Sequence, residues 1–200
     1  MGQAKRRKVE IALLKNRQRD WITGLEGDQK TVAQVAINAF ENVVLARNMT
    51  GGCYNLAFFL RDYLKREKDI DVEMVVGWVT DNSWDGGISH AWIEHQGKRT
   101  DISLWHTEHP DVQLPGSVII EGFDYKHAVT VYDYHRELPE GARAYLDTAS
   151  KHTEIGEAYR HKDAEHLKIK GLAERDGGAD EYFSKAPFGM NYEALARAMR

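Results

Sequence analysis

The chain has 200 residues, 42% of them apolar and 29% charged, which makes one folded domain the first expectation and two small ones the second. Thirty-one acidic against 27 basic residues leave a net charge of −4, so composition gives no reason to expect nucleic acid as the main partner. No run approaches the roughly 20 apolar residues of a membrane span, and one cysteine excludes both an internal disulfide framework and a multi-cysteine zinc site.

With no hydrophobic signal segment after the start, a reduced, cytoplasmic protein is expected. Residues 1–27 read as a basic helical lead-in, with Lys5, Arg6, Arg7, Lys8, Lys15, Arg17 and Arg19 opposed only by Glu10 in the first 19 positions. Such a run suits weak contact with an anionic partner, although a solvated helix is the leading expectation. Its apolar residues Val9, Ile11, Leu13 and Leu14 offer a docking face.

Residues 28–137 read as the core. Val32, Val35, Ala36, Ala39, Phe40, Val43 and Val44 recur at helical spacing and predict an amphipathic helix over 31–47. The segment 48–52, ending in Gly51-Gly52, breaks it. Residues 53–66 predict a second helix, apolar on nearly all sides at its start and polar at its end, so that its N-terminus points into the protein. Strands are predicted over 71–80, 88–95, 98–104, 118–120 and 128–134, with Gln96-Gly97 as a two-residue hairpin turn. Residues 138–200 form a helical extension expected to pack on the same domain. It comprises one or two helices over 140–175, a break at Gly177-Gly178, and a closing helix from Asn191, a candidate cap. Helices, then a mainly antiparallel sheet, then helices make an α+β protein.

The chemistry centres on Cys53. Gly51-Gly52 lets the backbone turn sharply, placing Cys53 at the start of a buried helix, where unpaired N–H groups and the helix dipole stabilise a thiolate and hold an oxyanion. A nucleophilic thiol needs a base, and the base an orienting carboxylate. With Gln96-Gly97 as the turn, His95 pairs with Lys98, Glu94 with Arg99, Trp92 with Asp101 and His90 with Ser103. His90, Trp92, Glu94, Arg99, Asp101 and Ser103 then share one face, with Asp101 the diagonal neighbour of His90 at about 7–8 Å. A shift of one residue would send Asp101 to the other face.

Gly51-Gly52-Cys53 opening a helix, Ser89-His90-Ala91-Trp92-Ile93-Glu94 on a strand and Thr100-Asp101-Ile102 on the next resemble the transglutaminase-like superfamily, whose core carries a papain-like Cys–His–Asp site. The resemblance spans residues 50–104. It implies Cys53 as nucleophile, His90 as general base and acid, and Asp101 as orienter of the imidazole.

Trp92 and Trp84 are candidates to line an acyl-binding cleft. Asn48, Asn55 and Gln34 are candidate side-chain donors to an oxyanion, beside the backbone N–H of Cys53. His106 and His109 have ligand-like spacing but precede Pro110 in a loop, and His90 and His95 point to opposite faces of one strand, so neither metal nor cofactor is expected. His152, His161 and His166 lie among lysines and glutamates and read as a solvated face. Ser89 and Ser103 have no evident base, so neither is expected as a nucleophile.

The expected function is a cysteine-dependent acyl-transfer enzyme: a peptidase, amidase, deamidase or transglutaminase acting on a peptide-like amide. The alternative is an inactive module of the same fold that binds a protein or nucleic-acid partner.

Overall fold

The computed structural model describes residues 3–108, 110, 113–187 and 189–200, and within its helices the side chains other than those of 3–12 and 153–155. The architecture is mixed α+β, 49% helical and 18% strand, with a curled antiparallel sheet and flanking helices.

The N-terminal arm is a helix, α1 (Gln3–Thr23). It docks through its last turns and not through its leucines: Leu13 is 63% exposed and Leu14 48%. Trp21 stacks on Phe123 at 4.4 Å, and Gln18 donates its side-chain amide to the Tyr125 carbonyl at 2.5 Å. The side chains of Lys5, Arg6, Arg7, Lys8, Val9 and Ile11 lie outside the described residues.

Helix α2 (Gly27–Ala39) begins earlier than its periodicity predicts and runs into a π-helical turn, Phe40–Leu45. The wider turn keeps Phe40, Val43 and Val44 all buried. Helix α3 (Cys53–Lys68) buries Leu56, Ala57, Phe58, Phe59, Leu60 and Leu64, each large side chain worth about 1.5–3 kcal/mol of apolar burial. It packs on the sheet, where Met74, Val76, Ala91 and Ile93 join the same core.

The sheet strands are β1 (Glu73–Thr80), β2 (Ile88–His95) and β3 (Lys98–Thr100), with β4 (Val118–Ile120) and β5 (Phe123–Lys126) forming a separate hairpin. Strand β6 (Asp133–His135) completes the four-stranded order β3-β2-β1-β6. The predicted hairpin register holds at Ile93–Thr100, Glu94–Arg99 and His95–Lys98. Gln96 and Gly97 both take positive φ (50° and 75°), the geometry of a tight hairpin turn matched to strand twist.

The predicted ladder does not continue to 104. At Asp101 the chain leaves β2 and bridges Ile119, exchanging N–H···O bonds of 2.7 and 2.8 Å. Strand pairing thus passes from β2 to the β4 side, leaving the edge of β2 around His90 free for side chains. Strand β5 carries no predicted signal, and β6 begins later than the 128–134 run suggests.

The C-terminal extension comprises α4 (Glu140–Ala149), α5 (Thr153–Ala173), α6 (Gly178–Ser184) and α7 (Tyr192–Ala198). Asn191 caps α7 by accepting the Ala194 N–H at 3.0 Å. The Gly177-Gly178 break in fact starts α6: Gly177 turns with φ 72°, and Gly178 lies against the Leu172 carbonyl where no Cβ fits. Phe183, Tyr192 and Leu195 enter the same core cluster as Phe58 and Phe59.

One expectation about this extension is overturned. His152 and His161 are exposed, but His166 is only 4% exposed and stacks on Trp78 at 4.5 Å, because α5 packs against β1. Among the described residues no helix is long and apolar enough to cross a membrane.

Candidate active site at the start of helix α3

Cys53 is the first residue of α3. Gly51 reaches it with φ 61° and the Glu108 side chain against its Cα; a side chain on Gly52 would run into Met49. The turn is tight enough to need both glycines. No side chain caps α3 and no acidic residue occupies its first turn, so its N–H groups and the positive end of its dipole are left for whatever lies beside Cys53.

His90, on β2, is 2% exposed. Its Nε2 lies 2.6 Å from Asp101 Oδ2, which leaves Nδ1 for the thiol side of the ring. Burial alone would disfavour the charged imidazole. The adjacent Asp101 carboxylate outweighs it by charge and hydrogen bond, Cys53 adds to the effect, and His90 is pushed well above its ordinary pKa. Asp101 is subject to the opposite balance: burial works against its ionisation, and His90, the Ser103 N–H and the Tyr134 hydroxyl together hold it below the usual carboxylate range.

Asp101 has every acceptor position in use. Oδ2 takes His90 and the Tyr134 hydroxyl, the latter at 2.7 Å. Oδ1 takes the Ser103 N–H at 2.9 Å and its hydroxyl at 2.7 Å. A carboxylate tied at four points cannot swing, and it fixes the imidazole plane. The departure of residues 101–103 from β2 makes this possible, since it folds Ser103 back onto Asp101.

Trp92 stands beside His90; it is not part of the lining of the larger cleft over Cys53 but shares with Cys53 a smaller void of about 10 Å³. It is 2% exposed, lies nearly parallel to the His90 ring at 6.4 Å, meets Tyr134 edge-on at 5.2 Å and donates Nε1–H to Glu94 at 2.8 Å. Gly77 of β1, paired with His90 of β2, has no room for a Cβ beside the Trp92 ring and the His135 carbonyl. The Arg99 guanidinium lies 3.8 Å from the centre of the Tyr134 ring.

The other predicted positions lie elsewhere. Trp84 packs edge-on against Tyr145 of α4 at 5.8 Å, because the loop before β2 folds towards that helix. Asn48 is exposed with φ 47° and ends the preceding helical segment, a left-handed position that Asn tolerates well. Asn55 is committed to the Met190 carbonyl at 2.9 Å, and Gln34 is exposed on α2.

A cleft of about 40 Å³ opens over Cys53, lined also by Ser89, His90, Ser103, His106 and Thr107. A larger cavity of about 170 Å³ lies beyond Tyr134, lined by Leu104, Ile119 and Tyr132, and includes neither Cys53 nor His90. His109 lies outside the described residues. Among those described, no three His, Cys, Asp or Glu side chains converge as a metal site would require.

Sequence reasoning missed Tyr134 and the partner of Ser89. Tyr134 comes from the far edge of the sheet, with no local motif to mark it. Ser89, expected to lack a base, has the buried His166 ring Nδ1 2.6 Å from its Oγ. No protein-family model matches the chain, and neither a curated protein nor a solved structure does.

Proposed function

We propose that the protein is a cysteine-dependent acyl-transfer enzyme acting on a peptide-like amide, built on a papain/transglutaminase-like core. The observation that supports this most is the buried His90–Asp101 pair, closed at 2.6 Å, lining one cleft with a cysteine at an uncapped helix N-terminus.

In this reading Cys53 Sγ, as thiolate beside protonated His90, attacks the substrate carbonyl carbon. The carbonyl π electrons move to oxygen, where the Cys53 N–H and its first-turn neighbours receive the negative charge. Collapse of the tetrahedral adduct breaks the C–N bond, and the departing nitrogen takes the proton from His90. A thioester on Cys53 remains. Water or an amine then attacks it, giving a proton to His90 as the C–S bond breaks and the thiolate returns. Asp101 keeps the ring oriented and stabilises its charged form.

The test is iodoacetamide alkylation of Cys53 from about pH 4 to 9, in the wild type and in His90→Ala, followed by a panel of peptide anilides. Rapid alkylation below neutrality that is lost in His90→Ala, with anilide cleavage lost in Cys53→Ala, supports the reading. A thiol that reacts only near its ordinary range of about pH 8.5, together with no turnover, overturns it in favour of a non-catalytic binding module.

A further inference from the structure

Ser89 and His90 are neighbours on β2 and face opposite sides of the sheet. On the Ser89 side its cross-strand partner is Trp78, and His166 of α5 meets both, stacking on Trp78 and approaching Ser89 Oγ with Nδ1 at 2.6 Å. Tyr54, next to Cys53 on α3, places its hydroxyl 2.6 Å from the same Ser89 oxygen. Ser89 also forms part of the cleft wall over Cys53. A serine that lines the cleft therefore has its hydroxyl held by two half-buried or buried aromatic groups on different helices.

One assignment of protons gives each of these groups a partner. Tyr54 has Ser89 as its one hydroxyl partner among the described residues, and burial followed by the nearby Cys53 charge keeps the phenol protonated, so Tyr54 donates. Burial and then Lys170 hold His166 below its ordinary pKa, so the ring is neutral. We assign His166 the Nε2–H tautomer, whose Nδ1 accepts the hydrogen bond of the Ser89 hydroxyl. A hydroxyl has one proton and two lone pairs. The hydroxyl then donates to His166 and accepts from Tyr54, so the oxygen of this cleft-lining residue keeps one lone pair for a further donor.

We propose that Ser89, polarised by Tyr54 and His166, is a specificity-determining residue that accepts a hydrogen bond from the N–H of the substrate's leaving group and so selects amides over esters of the same acyl group. This rests on the cysteine acyl-transfer reading. An amide nitrogen carries the proton that this acceptor needs. The corresponding ester oxygen carries only lone pairs, which meet the Ser89 lone pair unfavourably and leave it unsatisfied. His166 acts through Ser89 and is a positioning residue. The C-terminal helices thereby become part of substrate choice and not only of packing.

The experiment compares kcat/KM for a peptide p-nitroanilide and the p-nitrophenyl ester of the same peptide, in the wild type, Ser89→Ala, Ser89→Thr, His166→Gln and Cys53→Ala. The amide-to-ester ratio is expected to fall at least about tenfold in Ser89→Ala, to fall in the same direction in His166→Gln, and to recover towards wild type in Ser89→Thr, which keeps the hydroxyl. Near-UV circular dichroism establishes that each variant is folded. If Ser89→Ala does not fold, the ratio in His166→Gln decides. Equal losses on the two substrates, or an unchanged ratio, with Cys53→Ala inactive, overturn the role of Ser89 alone. Full turnover in Cys53→Ala overturns the cysteine reading and this inference with it.

Discussion

Tyr134 donates its hydroxyl to Oδ2 of Asp101, the same carboxylate oxygen that binds His90 Nε2. The two donors come from strands at opposite sides of β1, so the orientation of the histidine depends on the closure of the whole sheet and not only on the β2–β3 hairpin.

Replacing Tyr134 with Phe removes a hydrogen bond to a buried charge while keeping the ring that meets His90 and Trp92. The expected cost is about 1.5–3 kcal/mol of folding stability, measured by urea unfolding. Cys53 alkylation near neutral pH should slow as well, because the imidazole loses part of its anchor.

The His90–Asp101 pair has a definite signature in stability against pH. His90 is raised in the fold, so its contribution is full below the ordinary histidine range and is lost as pH rises through the raised value. Asp101 is lowered, so its contribution is full above the ordinary carboxylate range and is lost as pH falls through the lowered value. Urea unfolding across pH should therefore show a plateau between these ranges, with an alkaline decline that is absent in His90→Gln. An alkaline decline that persists in that variant would assign it to other groups.

Gly77→Ala should be severe for a substitution of one methyl. The new Cβ meets the His135 carbonyl on one side and the Trp92 ring on the other. Overpacking of this kind costs about 1–3 kcal/mol, to be read as a fall in thermal midpoint. Trp92 lies against His90, so alkylation of Cys53 should slow in protein that is still folded.

Trp21→Ala tests the docking of the N-terminal helix. Loss of the Trp21–Phe123 stack should destabilise α1 by about 1–3 kcal/mol and speed limited proteolysis within it. The aromatic partners of Trp21 among the described residues, Phe123 and Tyr125, are not part of the cleft lining over Cys53, so alkylation there should keep its wild-type rate.

What could be read from the chain was local. Gln96-Gly97 between two alternating runs defines a hairpin and its register, so the shared face of His90, Trp92, Glu94 and Arg99 follows from a few consecutive residues. Gly51-Gly52 before a strongly apolar run similarly marks the start of α3. What could not be read was a matter of partners distant in sequence. Asp101 changes strand partner to Ile119, and nothing near residue 101 signals that exchange. Tyr134 and His166 reach the site only through the packing of β6 and α5 on β1. His166 sits in a helix whose sequence is polar enough to look solvated, and its inward position is set by Trp78, which lies far earlier in the chain.

Cys53 opens a 16-residue helix whose next turns carry Leu56, Phe58, Phe59 and Leu60, all almost fully buried. The thiol thus rides on a helix built into the core rather than on a loop, and α3 cannot fray at that end without exposing the core beside it. Local opening that would release Cys53 from His90 belongs to the same cooperative unit as global unfolding. In a slow thermal ramp, the change in thiol labelling rate and the loss of tertiary structure should share a midpoint, leaving no temperature window in which the protein is folded but Cys53 has left the neighbourhood of His90.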